Sequence, residues 1–398
     1  MEGLDTGVRR PHLARMTTRR EFSLLIAAGA LAGCTSAGGT ARVAASLAPT
    51  PPLPPRGRRL VLVPPSIAED RVIRVVTGLR PFRAGGFVVR AEPFGDKLLV
   101  HNYGHGGGGV TLSWGTSDMA VQLGHRPDVE RYAVLGCGAV GLATARLLQR
   151  RGAAVTIYAR ALPPDTTSNI AGAQWWPTSL FDRTVATPQF MEQYVLAARL
   201  AYRHFQNLVG THYGVRWTRN YILGDRALRE YPAGPGDPLR ALAPELRDLA
   251  PDEHPFAEAY VRQWDTMMVE PPVYLQAMME DVLTAGGRIV VRDFPDRAAV
   301  AALPERVVFN CTGLGARALF GDEELEPVKG QLVVLVPQPE VDYNVLKDGW
   351  YMFPRTDGIM LGGTFDHGNW SLDPDPAATA RILAGHKRIF DGFRYRPA

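Results

Sequence analysis

Tyr132-Ala-Val-Leu-Gly-Cys-Gly-Ala-Val-Gly141 decides how this chain is to be read. The apolar run Tyr132 to Leu135 predicts a short buried strand, and glycines at 136, 138 and 141 follow it at once. Leu142, Ala145, Leu147 and Leu148 then form a helical pattern ending at Arg150-Arg-Gly152, and Ala154-Val-Thr-Ile-Tyr158 reads as a second strand. Strand, GxGxxG, helix and strand within about thirty residues is the context that turns a weak motif into a dinucleotide-binding unit. Gly136 permits the tight turn, Gly138 lets a pyrophosphate approach the backbone, and Gly141 lets helix and strand pack closely. Ala139 and Val140 open the helix, whose N–H groups and positive dipole end suit the phosphates. The acid expected at the end of the second strand, to bind ribose hydroxyls, is replaced by Arg160 and Ala161. Arg160 taken alone suits the 2′-phosphate of NADP, so a nicotinamide enzyme stands as the rival.

The 398 residues suffice for two intimately joined domains, and 46% hydrophobic with 21% charged residues describes a globular enzyme. The first 60 residues hold nine Arg against three acids, a local +6, so the net charge of +4 leaves −2 for the remainder. No nucleic-acid partner follows from such a balance. The basic excess lies around Thr17-Thr-Arg-Arg-Glu-Phe-Ser-Leu-Leu25, ahead of a short apolar run and Leu31-Ala-Gly-Cys34. Arg19 and Arg20 resemble a twin-arginine export signal and the last four residues a bacterial lipobox, with Met16 a possible start. An exported protein is expected, periplasmic or membrane-anchored through acylated Cys34, and cytoplasmic if the signal is unused. The run is too short to span a membrane. Cys137 and Cys311, the other two cysteines, sit in apolar segments, and without CxxC or HExxH no disulfide or metal site is expected.

Beyond the second strand, Leu162-Pro-Pro-Asp-Thr-Thr-Ser-Asn-Ile-Ala-Gly-Ala-Gln-Trp-Trp-Pro177 replaces the usual second helix with a polar, Thr-rich loop. This loop resembles the flavin-contacting loop of the D-amino-acid oxidases, FAD enzymes that include D-aspartate oxidase. Further blocks follow in that family's order: Val273-Tyr-Leu-Gln276 opening a helix, Gly286 to Phe294, Val307 to Ala316, Pro327 to Val333, and Tyr351-Met-Phe-Pro-Arg355 with Leu361 to Trp370. Two family elements that should come last instead come early. They are Thr77-Gly-Leu-Arg-Pro-Phe-Arg83 and Leu98-Leu-Val-His-Asn-Tyr-Gly-His-Gly-Gly107, the latter leading into a β-like Val110 to Trp114 and a helix-like Thr116 to Leu123. The economical reading is a circular permutation joined through roughly Gly124 to Arg131, which predicts that the strand near Val72 to Val76 lies close to the residues after Phe390.

The resemblance implies an α/β fold, a Rossmann-type FAD-binding domain interleaved with an α+β substrate domain on a mixed or antiparallel sheet. Expected divisions are 1–34 export signal, 35–65 Pro- and Ala-rich tether, 66–125 displaced C-terminal segment, and 130–178 FAD-binding unit. Residues 179–285 follow as substrate domain, 286–335 as the return to the FAD domain, and 336–398 as substrate hairpin and C-terminal helix. It also implies the site. Arg80 clamps the substrate carboxylate, for which a planar guanidinium fork is suited, and Tyr351 gives its hydroxyl to the same group. Gly107 turns a carbonyl to the substrate amine. FAD is held by Gly136, Gly138, Ala139, Val140, Gly141, Arg160, Thr166, Thr167, Ser168, Gly172, Gln174, Phe294 and Thr312, and by backbone N–H groups of Gly106, Gly108, Gly109, Val110 and Thr111. Hydride passes from Cα to flavin N5 without a side-chain base, so His101, His105 and His367 are read as loop hydrogen-bonders. The expected reaction converts a D-amino acid, dioxygen and water to a 2-oxo acid, ammonia and hydrogen peroxide, through an imino acid that hydrolyses.

Alternatives stay open. They are a glycine, sarcosine or D-aspartate oxidase, with Arg216, Arg219 or Arg355 as the extra cation for an acidic side chain; a dehydrogenase passing electrons to membrane quinone; and a non-catalytic binder. Lys347 stands where the family has a mobile lid tyrosine, and Tyr343 is the available substitute. Arg83 reads as a surface ion-pair residue, and a homodimer is left open.

Overall fold

The computed structural model describes residues 59–228 and 232–395. The export signal, the lipobox with Cys34 and residues 35–58 of the tether lie outside the described residues. In chain order the main elements are β1 (Val72–Phe82), β2 (Val88–Phe94), β3 (Lys97–Tyr103), α1 (Gly109–Gly124), β4 (Arg131–Leu135), α2 (Ala139–Gln149) and β5 (Ala154–Ala159). They continue with α3 (Pro188–Gln206), β6 (Val215–Gly224), β7 (Arg247–Leu249), β8 (Tyr260–Val269), α4 (Pro271–Thr284), β9 (Arg288–Val291), α5 (Arg297–Ala301) and β10 (Val307–Asn310). The last are α6 (Gly315–Phe320), β11 (Glu326–Leu335), β12 (Tyr343–Lys347), β13 (Trp350–Arg355), β14 (Gly358–Gly362), β15 (Asp366–His367) and α7 (Pro376–Asp391).

Among the described residues the strands form two sheets. One has the order β2-β3-β10-β4-β5-β9, and all its neighbours are parallel except β2 and β3. Its central strands are continuous apolar runs buried on both faces, as a helix-covered parallel sheet requires. The other sheet runs β1-β11-β14-β13-β12-β6-β8-β7, with β15 beside β11, and is antiparallel except between β12 and β6. An α/β dinucleotide layer joined to a mixed-sheet layer is the fold expected from the sequence.

Local chemistry sets the helix boundaries. Thr187 Oγ1 accepts from the Phe190 N–H at 3.1 Å with Pro188 in the first turn of α3, and Asp375 caps α7 ahead of Pro376. α1 corrects the sequence reading, because Val110 to Trp114 is the start of this helix and not a β-like segment. Packing overrides the β propensity of Val-Thr-Leu-Ser-Trp. Every residue from Val110 to Ser117 is buried, with α2 on one side and α3 on the other. At Gly115 the α3 backbone comes so close that a Cβ would overlap the Ala197 carbonyl.

The early segments complete both layers. β1 pairs with β11 over its whole length, and β3 lies parallel to β10. Val72 and Val75 pack against the cluster holding Ile389, Phe390 and Phe393, and the Arg59 guanidinium lies 3.4 Å from the centre of the Tyr395 ring. Part of the expected tether belongs to the body: Leu60 is buried with its N–H donating to Glu253 O at 2.8 Å, and Val63 O accepts from the Tyr343 hydroxyl at 2.8 Å. No helix among the described residues is long and apolar enough to cross a membrane.

Candidate active site

A cavity of about 2160 Å³ lies between the two sheets. Four parts of the chain build its walls: the glycine turn after β4, the polar loop after β5, the turn from β3 into α1, and the mixed sheet carrying Arg80 and Tyr351.

At the glycine turn, Gly136 has φ +104°, and a Cβ there would lie 2.5 Å from Cys311 O. Only glycine fits that conformation and that approach. α2 starts at Ala139 with no side-chain cap on Gly138, so its N-terminal dipole end opens on the cavity with Gly138, Ala139 and Val140 in the wall. Gly141 does not line the cavity; a Cβ there would overlap Gly136 O, so its contribution is close packing of helix on turn. Ser168 Oγ accepts from the Ala139 N–H at 3.1 Å and ties the polar loop to the helix end. Thr166 and Thr167 line the same stretch, and Thr166 Oγ1 donates to Asn169 Oδ1 at 2.8 Å. Gly172 packs on Phe353, Gln174 donates to Asn220 Oδ1 at 2.9 Å, and Thr312 donates to Asn310 Oδ1 at 2.7 Å; all three reach the wall. Arg160 and Phe294 stand at the far end, where the Arg292 guanidinium lies 4.7 Å from the Phe294 ring centre.

The turn from β3 into α1 supplies a second uncapped helix end. Gly106, Gly107, Gly109, Val110 and Thr111 line the cavity, whereas Gly108 does not; its Cα faces the Leu180 side chain. The Gly107 N–H is used internally, donating to Ser179 O at 2.9 Å, and Thr111 Oγ1 donates to Gly108 O at 3.1 Å. His105 holds the turn from behind. Its Nε2 bonds to Thr116 Oγ1 at 2.9 Å, its ring stacks on Phe87, and complete burial pushes its pKa down to about 3. The other two histidines read as loop hydrogen-bonders are likewise bonded, His101 to Asn310 at 3.0 Å and His367 to Glu326 at 2.7 Å. Burial pushes the thiols of Cys137 and Cys311 up to about 12.

On the mixed sheet, Arg80 Nη2 donates to the Tyr351 hydroxyl at 3.4 Å and Nη1 to Thr364 O at 3.2 Å. Among the described residues no carboxylate lies within ion-pair reach of Arg80. The Phe365 ring covers the guanidinium at 4.6 Å. Arg83, three residues on, is instead ion-paired with Asp322 and Glu324, each at 2.8 Å. Arg216, Arg219 and Arg355 line no part of the cavity. Arg216 donates to Pro354 O, Arg219 is paired with Asp265, and Arg355 with Asp357. The lid region is a two-residue turn at Asp348 and Gly349, both at positive φ, joining β12 to β13. Lys347 is paired with Asp225 and Glu258, and Tyr343 is buried and bonded to Val63 O, so Tyr343 does not replace the lid tyrosine.

Sequence reasoning missed the rest of the chamber wall. Trp176, Ile222, Trp264, Leu346, Phe353 and Phe365 line it, brought from strands and loops far apart in the chain. Trp176, Phe353 and Phe365 carried a signal, falling in the Leu162 to Pro177, Tyr351 to Arg355 and Leu361 to Trp370 blocks, whereas Ile222, Trp264 and Leu346 carried none.

The donor set fits a dinucleotide with a flat ring at one end. A helix end that opens on the cavity beside close-approach glycines suits the pyrophosphate, and a glycine-paved turn with a second helix end suits a ring that becomes negative on reduction. Comparison with known proteins agrees. Residues 131–397 match a family described as DAO, FAD dependent oxidoreductase. A D-amino-acid oxidase of Streptomyces coelicolor is 32% identical over 270 residues, covering 67% of this chain and 79% of that protein. The human D-aspartate oxidase is 30% identical, covering 65% and 75%. The crystal structure of glycine oxidase from Geobacillus kaustophilus covers 66% of this chain and 79% of its own with a TM-score of 0.50 at 18% identity, a likeness of fold. The chain therefore belongs to the DAO family of FAD-dependent oxidoreductases, with FAD as its cofactor.

Proposed function

We propose that this protein oxidises D-amino acids with neutral side chains to imino acids, which water hydrolyses to 2-oxo acids and ammonia, with dioxygen as the electron acceptor reduced to hydrogen peroxide. The observation that carries this reading is Arg80, a cation with no carboxylate partner among the described residues, hydrogen-bonded to Tyr351 in the wall of the cavity that also holds the dinucleotide turn. A buried-side cation held only by neutral groups favours an anionic ligand, and a planar fork beside a hydroxyl matches a carboxylate. Arg80 would bind the substrate carboxylate through two N–H donors, with the Tyr351 hydroxyl as a third. The Gly107 carbonyl would accept from the substrate amine and orient Cα. Bound FAD would supply the two-electron acceptor. The N-terminal end of α1 would favour negative charge developing at the ring edge, a preorganised electrostatic contribution. His105 is neutral through burial and faces Thr116, so it takes no part as a base. The apolar lining at Trp176, Ile222, Trp264, Leu346 and Phe353 favours a neutral side chain, and the three arginines considered for an acidic one are engaged elsewhere.

The order of segments is part of the proposal: a circular permutation has carried the β1 to α1 portion ahead of the dinucleotide unit. The family match beginning at residue 131 supports it, as do β1 and β3 filling places in the two sheets beside β11 and β10. Export and acylation at Cys34 are proposed from the sequence alone, and Cys34→Ala should move the protein from the membrane to the soluble fraction. To test the activity, the holoprotein is purified and peroxide followed over a panel of D- and L-amino acids. Peroxide from neutral D-amino acids is expected; peroxide from L-amino acids only, or none from any, would overturn the assignment.

A further inference from the structure

Arg80 and Tyr351 do not stand up from the mixed sheet; they lie across it, and the places they cross are bare. Gly78 and Arg80 share one face of β1 by the two-residue period of a strand, and Gly330 of β11 is paired with Gly78 on that same face. A Cβ on Gly330 would lie 2.6 Å from both Cζ and Nη2 of Arg80, inside the guanidinium. One register step along, Gly362 of β14 pairs with Leu332 on one side and with Tyr351 on the other. A Cβ on Gly362 would fall on the Tyr351 ring and its hydroxyl. The two side chains thus converge from β1 and β13 over two adjacent strands and meet at 3.4 Å. Both glycines are buried and both have ordinary negative φ, so no turn or left-handed backbone explains them. The contact that explains each is a clamp side chain.

We infer that Gly330 and Gly362 are positioning residues that set the depth of the carboxylate clamp, by letting guanidinium and phenol lie flat on the sheet. The inference rests on the clamp reading of Arg80 and Tyr351 given above. Alanine at either place must lift its partner by about a methyl group toward the chamber, spoiling the shared geometry of the three donors while leaving the dinucleotide turn untouched.

The test uses the holoenzyme, with benzoate as a carboxylate probe followed through the flavin absorbance. Gly330→Ala and Gly362→Ala are each expected to weaken benzoate by about tenfold or more and to raise the KM for D-alanine more than they lower kcat, with FAD content at the parent level. Melting temperatures supply a readout independent of ligand. The loss caused by Gly330→Ala should vanish in an Arg80→Ala background, and that caused by Gly362→Ala in a Tyr351→Ala background, because the overlap is then gone. Should a single variant fail to fold, its double variant should fold. Benzoate affinity within twofold of the parent in both alanine variants, or a melting loss that persists in the doubles, would overturn the inference. Parent-like benzoate affinity in Arg80→Ala itself overturns the oxidase reading, and is told apart because the melting coupling is measured without ligand.

Discussion

Arg80 and Arg83 lie three residues apart in Thr77-Gly-Leu-Arg-Pro-Phe-Arg83 and meet opposite fates. β1 ends at Phe82, so Arg83 leaves the sheet for Asp322 and Glu324, while Arg80 remains on the strand face beside Tyr351 with no carboxylate partner among the described residues. Arg80→Leu should raise the dissociation constant for the substrate by about 10²-fold, given roughly 3 kcal/mol for a hydrogen bond to a charged group. Tyr351→Phe removes one donor of ordinary strength, about 1 kcal/mol, and should raise it by about fivefold. Equilibrium binding of benzoate to each variant checks both, and an Arg80→Leu protein with parent affinity would remove that residue from the site. His105 contributes to acid stability by a different route. Its folded pKa of about 3 lies below the model-peptide value of 6.5, so between those values the unfolded chain takes up a proton that the folded protein refuses. Stability contributed by the neutral ring is therefore present above pH 6.5 and falls as the pH drops toward 3. From pH 7 to pH 5 this amounts to about 2 kcal/mol. His105→Gln should melt with a visibly smaller difference between pH 5 and pH 7 than the parent protein, and an equal difference would contradict the assignment.

Elements with a strong period or a glycine signature were legible in the sequence, and those shaped by distant packing were not. β4, α2 and β5 follow from one apolar run, three glycines and a helical repeat, because a buried parallel strand and its crossover helix are largely local choices. The first turn of α1 reads as a strand in isolation and is a helix because α2 and α3 enclose it. Gly115→Val tests that enclosure: its side chain would collide with the α3 backbone at Ala197, and overpacking of this kind costs about 1–3 kcal/mol or more. A fall of several degrees in melting temperature is expected, while Leu123→Ala on the exposed end of the same helix should change little. The chamber wall was the least legible part. Ile222, Trp264 and Leu346 come from β6, β8 and β12, and nothing in their local sequence marks them as neighbours of Trp176 in the loop after β5.

At the scale of the whole molecule, the described chain begins and ends at one place. Arg59 stacks on Tyr395, Leu60 is tied to Glu253 and Arg394 to Pro255, so both ends anchor in the same region of the mixed-sheet layer. Domain ends that lie together tolerate reconnection. A rearranged chain starting near residue 128, running to 395 and joined by a short linker to residues 59–124 should therefore fold and retain FAD. A colourless or insoluble product would count against the permuted order. In the proposed reaction the cofactor site, the clamp and the apolar part of the chamber wall serve a single event, the transfer of an electron pair from a D-amino acid to bound flavin. Its most direct measurement is the anaerobic absorbance of the holoprotein on mixing with D-alanine and, separately, L-alanine. Bleaching of the flavin band by D-alanine alone, and its loss at the same concentration in Arg80→Leu, is predicted. Bleaching by L-alanine but not D-alanine, or an Arg80→Leu protein that bleaches like the parent, would contradict it.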